Sequence, residues 1–309
     1  MFSSADHDVR RWINESLGES AGRLLASELS ASELWSLLLW VMEQRAQRTP
    51  AQLMRQWQQD RFVAPSIIDQ RTFLELDREL FMAAEAFEAI ELSPLAPLGA
   101  CSSIALTTQN RTVSTIRGTE VISDPTNVLA LESARRLRAD THRIVRFATS
   151  HRCVRAQPFP DKPGFAAHFR LFCLSTAGHE TGDQQFTVDA LIEHIRTQWQ
   201  GLDRLEHRGY AFPDRSVTLL ATAERAHLAD RIAAELPHFT ISRELLEHDY
   251  YFGLRFMISA RSAHGDAIPL IDGGAFDWVA KLSANRKLAF IASAIGSQVA
   301  AFGFRKDGP

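Results

Sequence analysis

The N-terminal part of the chain repeats its apolar positions at intervals of three and four, which is the period of amphipathic helices. Ser30-Ala31-Ser32-Glu33 has the form of a capping box and predicts a helix over 31–46. Thr49-Pro50 indicates an N-cap followed by proline at the first helical position, opening a second helix to about Gln58. The apolar repeat from Phe73 to Phe87 predicts a third helix over 70–88.

Beyond Gly99 the pattern changes, because β-branched and aromatic residues now form short runs bounded by Asn, Gly, Pro or Asp. Gln109-Asn110 and His264-Gly265-Asp266 predict hairpin turns and so antiparallel pairing. The predicted strands are 101–108, 111–117, 143–148, 167–176, 250–260 and 268–272, with helices at about 127–138, 187–199 and 223–236. We therefore predict an α+β fold, with a helical extension over 1–85 and a core domain over 86–309.

Composition excludes several classes of protein. The chain has 309 residues, of which 45% are hydrophobic and 23% charged, as in ordinary globular domains. A net charge of -3 argues against a dedicated nucleic-acid binder, which needs a basic excess. No apolar stretch approaches the length of a membrane helix and the N-terminus is polar, so we expect a cytoplasmic protein that does not associate with a membrane. The three cysteines are too scattered for a disulfide framework, and the histidines lack metal-ligand spacing, so we expect reduced thiols and no metal.

Candidate chemistry is spread over five separate segments. Asp124-Pro125-Thr126 precedes a predicted helix, and a strand-like run from Arg143 ends at Arg152. His168-Phe169-Arg170-Leu171-Phe172 returns after a proline-rich turn. Tyr250-Tyr251-Phe252-Gly253 and Gly273-Gly274-Ala275-Phe276-Asp277 follow.

In this order and rough spacing, these segments resemble the catalytic domain of class II aminoacyl-tRNA synthetases, nearest to the histidyl type. The segment 87–95 resembles motif 1, the dimer-forming helix-to-strand step, and 289–299 resembles motif 3. The resemblance covers about 87–300 and implies an antiparallel sheet flanked by helices. It also implies a homodimer.

The resemblance implies a role for each site residue. Arg152 falls where the family places the arginine that holds the amino-acid carboxylate and the ATP α-phosphate, a task suited to a planar guanidinium. Asp124 would receive the ammonium group, with Thr126 beside it, and Arg170 lies on the returning strand. A tyrosine of the pair Tyr250 and Tyr251 would form a wall, and Gly273 and Gly274 would form a turn at the floor.

Departures from the family pattern count against catalysis. Val299 takes the place of the motif 3 arginine that clamps the γ-phosphate, and Gln298 that of the preceding glutamate. Val154 replaces the motif 2 glutamate, while Leu174 and Gly178 stand where histidine-binding residues are expected. Losing one electrostatic contact to the transition state costs about 10²–10³ in rate, so the losses predict negligible adenylate synthesis. The chain also ends directly after motif 3, so tRNA binding is not expected.

Two less specific interpretations remain open. Asp124-Pro125-Thr126 is also an ordinary N-cap signature, and Arg152 on a strand could pair with a surface carboxylate. Tyr250 and Tyr251 would alternate faces on a strand, so that one of them faces the pocket.

The retained and lost residues together resemble the regulatory subunit of ATP phosphoribosyltransferase, a histidyl-synthetase paralogue. The resemblance implies a catalytically degenerate protein, without a cofactor, that binds a small amino-acid-like ligand and regulates a catalytic partner in histidine biosynthesis. The alternatives are an adenylate-forming ligase with a non-tRNA acceptor and a purely structural dimeric subunit.

Overall fold

The computed structural model describes residues 11–12, 15–18, 20–159, 165–262 and 265–306. Contacts divide the chain into two units. The first comprises Met1–Asp60 with Ser114–Thr119, and the second comprises Arg61–Val113 with Glu120–Pro309.

The first unit is helical. It contains α1 (Ser20–Arg23), which runs into a π-helical turn over Leu24–Glu28, then α2 (Ala31–Arg45) and α3 (Pro50–Gln59). The predicted helices over 31–46 and from Pro50 are confirmed, and both begin with a complete capping box. Neither α2 nor α3 has a buried residue, and three tryptophans are among their exposed side chains: Trp35, Trp40 and Trp57.

Among the residues that the structure describes, no single helix is both long enough and apolar enough to cross a membrane. One helix pair, Ser20–Glu28 with Ala31–Arg45, passes on length and composition, but it is bent by 118°.

The second unit is built on an eight-stranded sheet in the order β1-β4-β5-β10-β9-β8-β6-β7, while β2 and β3 form a separate pair. Five neighbouring pairs in the large sheet are antiparallel, and the two outermost pairs are parallel. The predicted α+β class with an antiparallel sheet is confirmed. The strands are β1 (Glu88–Ala89), β2 (Leu95–Pro97), β3 (Thr119–Val121), β4 (Val145–Val154), β5 (His168–His179), β6 (Ser216–Ala221), β7 (Ile241–Leu245), β8 (Leu254–Arg261), β9 (Ala267–Phe276) and β10 (Leu288–Gly296).

Helices cover both faces of this sheet and make two apolar cores. The long helix α7 (Gln185–Glu206) packs with α4 (Gln70–Ala83) over one face, with Leu76 and Leu80 in the first core. The helix α6 (Pro125–Ala139) packs with the short helix over Trp278–Leu282, α9, on the other face. The remaining helices of the unit are α5 (Ala100–Ile104), α8 (Ala226–Ala234) and α10 (Ser297–Phe304).

The helix α4 belongs to the second unit by its contacts, although the sequence places it with the N-terminal extension. Leu76 and Leu80 are at most 1% exposed, so this helix is part of the larger unit's core. The predicted domain boundary near residue 85 stays a prediction.

Two predicted strands are wrong. Residues 101–104 belong to α5, and no strand forms over 111–117, where the predicted hairpin turn is a 3₁₀ helix, Gln109–Arg111. The reason is tertiary: the buried Glu120 carboxylate accepts hydrogen bonds from the backbone N–H groups of Gly99 and Cys101, both at 2.9 Å. These bonds satisfy N–H groups at the start of α5, which overrides the strand propensity of Ile104 and its neighbours.

The hairpin predicted at residues 264–266 is confirmed in its pairing, because β8 and β9 are antiparallel neighbours. The Ser262 N–H donates to the Asp266 carbonyl oxygen at 2.8 Å, which closes the turn. His264 lies outside the described residues.

Candidate ligand-binding site

A cavity of about 560 Å³ opens on the sheet face that carries α6. Alternate residues of three central strands form its floor, since alternate side chains of a strand point to one face. These floor residues are Leu171, Leu270, Asp272, Ala292 and Ala294. The walls come from α5, the start of α6, the segment that follows β4, and the loop before β8.

Asp124 and Thr126 lie in the wall of this cavity, at the start of α6. Asp124 Oδ1 accepts hydrogen bonds from the Thr126 backbone N–H at 3.0 Å and from Thr126 Oγ1 at 2.7 Å. The N-cap interpretation of this segment is therefore confirmed. Capping leaves Oδ2 to face Arg155, whose Nη2 lies 3.4 Å away.

Arg155 and Arg111 supply the positive charge of the cavity, and the sequence analysis missed both. Arg155 Nε donates to the Ser123 carbonyl oxygen at 2.9 Å, and its guanidinium lies 4.9 Å from the centre of the Phe169 ring. Arg111 Nε donates to Gln157 Oε1 at 2.6 Å. Arg155 is thus held by a carbonyl oxygen and the Asp124 carboxylate, and Arg111 by a neutral amide oxygen, and each guanidinium keeps further N–H groups for a ligand.

Arg152 and Arg170 do not lie in this cavity. They are register partners on β4 and β5, so they share a sheet face, which is opposite to the face of Leu171. Arg152 lies over the Phe73 ring of α4 and contacts His168 Nδ1 at 2.7 Å. Burial, together with the neighbouring Arg170 guanidinium, lowers the pKa of Arg152.

Arg170 is equally occupied on that face, since its Nη1 forms an ion pair with Asp77 Oδ2 of α4 at 2.6 Å. The expected pocket in which Arg152 meets Tyr250, Tyr251 and the glycines is therefore not what the structure contains. The pairing with β5 continues one residue beyond β4, because the Arg155 N–H donates to the Ala167 carbonyl oxygen at 2.9 Å. Arg155 is an odd number of positions after Arg152, and an odd step along a paired strand reverses the face, so residue parity was a signal in the sequence. A ligand-binding role for Arg152 stays a prediction.

Both tyrosines line the cavity. The expectation that one of them faces away is wrong, because they precede β8 and lie in a loop instead of on a strand. Their rings meet edge to face with centroids 5.0 Å apart. Tyr251 is nearly buried at 8% exposure, and burial, with the nearby Asp272 carboxylate, raises the pKa of its hydroxyl. Tyr251 is therefore a neutral donor at physiological pH.

Asp272 is not a free carboxylate on the cavity floor. Arg255 holds it through two parallel hydrogen bonds, Nε to Oδ1 at 2.9 Å and Nη2 to Oδ2 at 2.8 Å. The Arg255 guanidinium also lies 5.2 Å from the centre of the Tyr251 ring. The pair fixes the position of Tyr251 and neutralises the floor.

Gly273 and Gly274 are strand residues in the centre of β9, so their predicted role in a tight turn is wrong. A Cβ atom at Gly273 would lie 2.5 Å from Ser293 Cβ, and one at Gly274 would lie 2.5 Å from Tyr251 Cδ1. Neighbouring strands and side chains approach this backbone too closely for any side chain. Gly273 lines the cavity, while Gly274 lies under the Tyr251 ring.

Asn127 carries an unused acceptor in the cavity wall. Its side chain is only 2% exposed, and its Oδ1 accepts no hydrogen bond from the residues that the structure describes. A buried amide oxygen without a donor is costly, and a ligand N–H group would satisfy it.

Val299, for which the motif 3 resemblance predicts an arginine, also lines the cavity with an apolar side chain. Gln298 turns away, and its Oε1 accepts from the Arg170 backbone N–H at 2.7 Å. Leu174 lies in the core of the opposite sheet face.

Nothing in the described ranges gathers three or more potential metal-binding side chains. All three cysteines, Cys101, Cys153 and Cys173, are buried and free, as predicted.

Taken together, the cavity offers aromatic walls, two cationic side chains and a buried acceptor. These are groups that bind a small polar molecule with a negative charge.

No protein-family model and no curated protein matches the sequence. Solved structures do match the fold. An ATP phosphoribosyltransferase regulatory subunit/histidyl-tRNA synthetase from Bacillus halodurans is 12% identical, with a TM-score of 0.59 over 77% of this chain and 80% of that one. A histidine–tRNA ligase subunit from Alicyclobacillus acidocaldarius is 13% identical, with a TM-score of 0.55 over 82% of this chain and 96% of that one.

The apo histidyl-tRNA synthetase of S. aureus is 10% identical, with a TM-score of 0.55 over 75% of this chain and 66% of that one. At such identities the likeness concerns the fold. The chain has the fold of the class II aminoacyl-tRNA synthetases and of their histidyl-type paralogues.

Proposed function

We propose that this chain is a catalytically degenerate class II synthetase-like protein that binds a small amino-acid-like ligand and regulates a catalytic partner protein. The observation that carries the proposal is the composition of the cavity. Arg155, Tyr251 and the unpartnered Asn127 Oδ1 line it, whereas Val299 stands where the family resemblance places a phosphate-binding arginine. An apolar side chain there favours ligand binding without phosphoryl chemistry.

The cavity assigns a task to each of its polar groups. Arg155 would hold the ligand carboxylate by charge-assisted hydrogen bonds, with Arg111 beside it. Asn127 Oδ1 and Asp124 would accept hydrogen bonds from the ligand's ammonium group. Tyr250 and Tyr251 would enclose the ligand's side chain, and Tyr251 would add a neutral hydroxyl donor.

A partner subunit is proposed from the comparison, because one similar structure is that of an ATP phosphoribosyltransferase regulatory subunit. By the same reasoning we propose a cytoplasmic homodimer that senses its ligand for histidine biosynthesis. A regulatory subunit needs only to bind its ligand and contact its partner. Loss of the phosphate-binding residues is compatible with that role.

The second candidate is an adenylate-forming ligase with an acceptor other than tRNA. Arg111 and Arg155 favour it, because two guanidiniums in one cavity could hold phosphate oxygens in place of the missing arginine. A purely structural subunit with a vestigial cavity is the third candidate, and it requires no ligand.

Pyrophosphate exchange measured with each of the twenty amino acids separates these candidates. We expect no exchange above background, because Val299 cannot stabilise charge on a phosphate. Robust exchange with any amino acid would establish the ligase instead. A thermal-shift screen of amino acids and nucleotides then distinguishes a sensor, which shifts with a ligand, from a structural subunit, which does not.

Two arginine variants test the placement of the anchor. With the ligand found in that screen, Arg155→Met should weaken binding about ten- to a hundred-fold, or about 1.5–3 kcal/mol, since it removes charge-assisted hydrogen bonds. Arg152→Met is the matched control, because its guanidinium lies on the opposite sheet face. If Arg152→Met loses the ligand and Arg155→Met keeps it, the anchor is Arg152 and the assignment above is wrong.

A further inference from the structure

A second cavity, of about 720 Å³, lies where α9, the start of α7 and the loop before β8 meet. Small side chains leave this space open, because four alanines line it: Ala275, Ala280, Ala284 and Ala289. Phe252, Phe276, Leu288 and Phe290 complete an apolar lining. A cavity of this size and lining accommodates a small organic molecule.

Three cationic side chains and two carboxylates face this cavity: Arg225, Lys281, Arg286, Glu180 and Asp277. The carboxylates are engaged. Glu180 accepts hydrogen bonds from the N–H groups of Thr181 and Thr187 at 3.0 and 3.3 Å, and Asp277 pairs with Lys281 at 2.8 Å. Within the part of the chain that the structure describes, neither Arg225 nor Arg286 has a carboxylate within ion-pairing distance. Lys281 pairs with Asp277, so Arg225 and Arg286 face one remaining carboxylate, Glu180, whose charge acts on Arg225, and the lining carries an excess of one positive charge.

Arg225 is held firmly in the cavity wall. Its Nη1 donates to the Phe252 carbonyl oxygen at 2.9 Å, and its guanidinium lies 4.2 Å from the centre of the Phe252 ring. Gly253, with φ of +74°, makes this approach possible, because a Cβ atom there would lie 2.5 Å from Arg225 Cδ. A half-buried guanidinium that is positioned by neutral groups keeps its charge available for a ligand.

We propose that this second cavity binds an organic anion, in which one carboxylate or phosphate group is attached to a flat apolar body. Arg225 and Arg286 hold the anionic group. The flat body lies beside Phe252 on the alanine-lined surface, where a guanidinium and an aromatic ring already stack and a planar ligand extends the stack. The chemistry fits an aromatic carboxylate and a nucleoside monophosphate alike.

The second cavity is separate from the first in the residues that hold the charge. The two cavities share Phe276, and the loop residues Tyr250 and Tyr251 of the first adjoin Phe252 of the second. Arg155 takes no part in the second cavity. The proposal for this cavity therefore stands or falls independently of the function proposed for the first.

Calorimetric titration of the full chain tests the proposal with three probes: benzoate, adenosine 5′-monophosphate and inorganic phosphate. We expect benzoate or the nucleotide to bind more tightly than phosphate, and the probe that binds identifies the source of the anion. Arg225→Met should weaken that binding at least about tenfold, and Arg286→Met should weaken it in the same direction. Ala280→Phe, which fills the cavity, should remove it.

Two control variants show whether loss of binding is specific to the second cavity. Arg261→Met removes an exposed arginine that pairs with Asp214 outside this cavity, and it should bind the probe as the parent does. Arg155→Met separates the two cavities, because it should leave the probe's affinity unchanged if binding occurs at the second one. Arg286 is exposed, so its variant tests the idea even if Arg225→Met fails to fold.

Three results would overturn the proposal. The first is that neither organic probe binds at millimolar concentration. The second is that binding survives Arg286→Met and Ala280→Phe in proteins with parental melting temperatures. The third is that Arg155→Met abolishes the binding, which would place the probe in the first cavity.

Discussion

Tyr251 owes its position to the absence of a side chain beneath it. Its ring lies over Gly274, and a Cβ atom there would also come within 2.4 Å of the Leu254 carbonyl oxygen. The Arg255–Asp272 pair then fixes the ring from the side. The cavity wall therefore depends on one backbone position in the middle of a strand.

Substituting that position should damage both stability and the site. We expect Gly274→Ala to lower the free energy of unfolding by about 1–3 kcal/mol, because the added methyl group overpacks a closely spaced sheet. Chemical denaturation measures the effect. Gly182→Ala is the matched control: no atom lies within 4 Å of its added Cβ, so it should change stability by less than about 0.5 kcal/mol. Equal stability of the parent and Gly274→Ala would contradict the close packing.

His194 is the centre of a buried polar network on the other sheet face. Its Nε2 lies 3.0 Å from Thr176 Oγ1, and its Nδ1 lies 2.9 Å from Ser293 Oγ, which also accepts from Gln198 Nε2 at 3.1 Å. Complete burial, and then the nearby Arg146, lower the pKa of His194 from 6.5 to about 3. The ring is therefore neutral in the folded protein.

This network predicts a pH dependence of stability. Because the folded pKa is depressed, the unfolded chain binds a proton below pH 6.5 that the folded chain rejects, so stability falls as the pH falls. Between pH 7.5 and 5, His194 should account for a loss of about 2 kcal/mol. Denaturant titrations at several pH values in this range give the free energy of unfolding. That free energy should fall less steeply with falling pH in His194→Gln than in the parent. His238→Gln, at an exposed position, is the control and should show the parental change in unfolding free energy with pH. The same change in all three proteins would exclude a buried neutral His194.

Among the elements, α4 has the largest consequence for where the folded domain begins. Phe73, Leu76 and Leu80 lie in the core of the second unit. Removing a buried side chain of this size costs about 2–5 kcal/mol, and the total stability of a domain is about 5–15 kcal/mol. The larger unit cannot lose this helix and remain folded.

Two truncations test this point. A chain that begins at Arg61 should unfold cooperatively, because it retains α4 and both cores of the second unit. A chain that begins at residue 86 should show no cooperative thermal transition. Circular dichroism melting distinguishes the two. A cooperative transition in the shorter chain would support the boundary predicted near residue 85.

At the scale of the whole molecule, the large sheet ends at β1, a short strand that pairs on one side with β4. The segment around it resembles the dimer-forming motif 1 and exposes apolar side chains, with Met82 at 44% and Leu95 at 40%. An open sheet edge beside exposed apolar residues favours association with a second copy.

Light scattering should therefore report a dimer, with twice the chain mass of 34.6 kDa. Leu95→Asp should shift the equilibrium towards monomer, because a charge at an apolar interface must be desolvated. Met54→Asp places the same charge on an exposed residue of α3, which belongs to the first unit and not to the motif 1-like segment 87–95, and it should leave the dimer intact. A parent protein that is monomeric at micromolar concentration would contradict the prediction.

The local features of this protein can be read from the sequence alone. Ser30 and Thr49 cap their helices as predicted, and Asp124 caps α6, because a capping bond involves residues only two or three positions apart. The order of the motif-like segments was sufficient for the fold class. Asp124, Thr126, Tyr250, Tyr251 and Gly273, which the resemblance assigned to one pocket, line one cavity, and their binding of a ligand stays a prediction.

Which face of the sheet carries the cavity, and which side chains meet in it, depends on contacts between segments that are far apart in the chain. Residue parity puts Arg152 and Arg155 on opposite faces, but only the packing of α4 beside Arg152, and of the start of α6 beside Arg155, shows that Arg155 is the one in the cavity. Glu120 turns a strand-like segment into α5 through bonds across about twenty residues. Gly274 is required by Tyr251, and that contact, like the others, forms only when distant segments pack together.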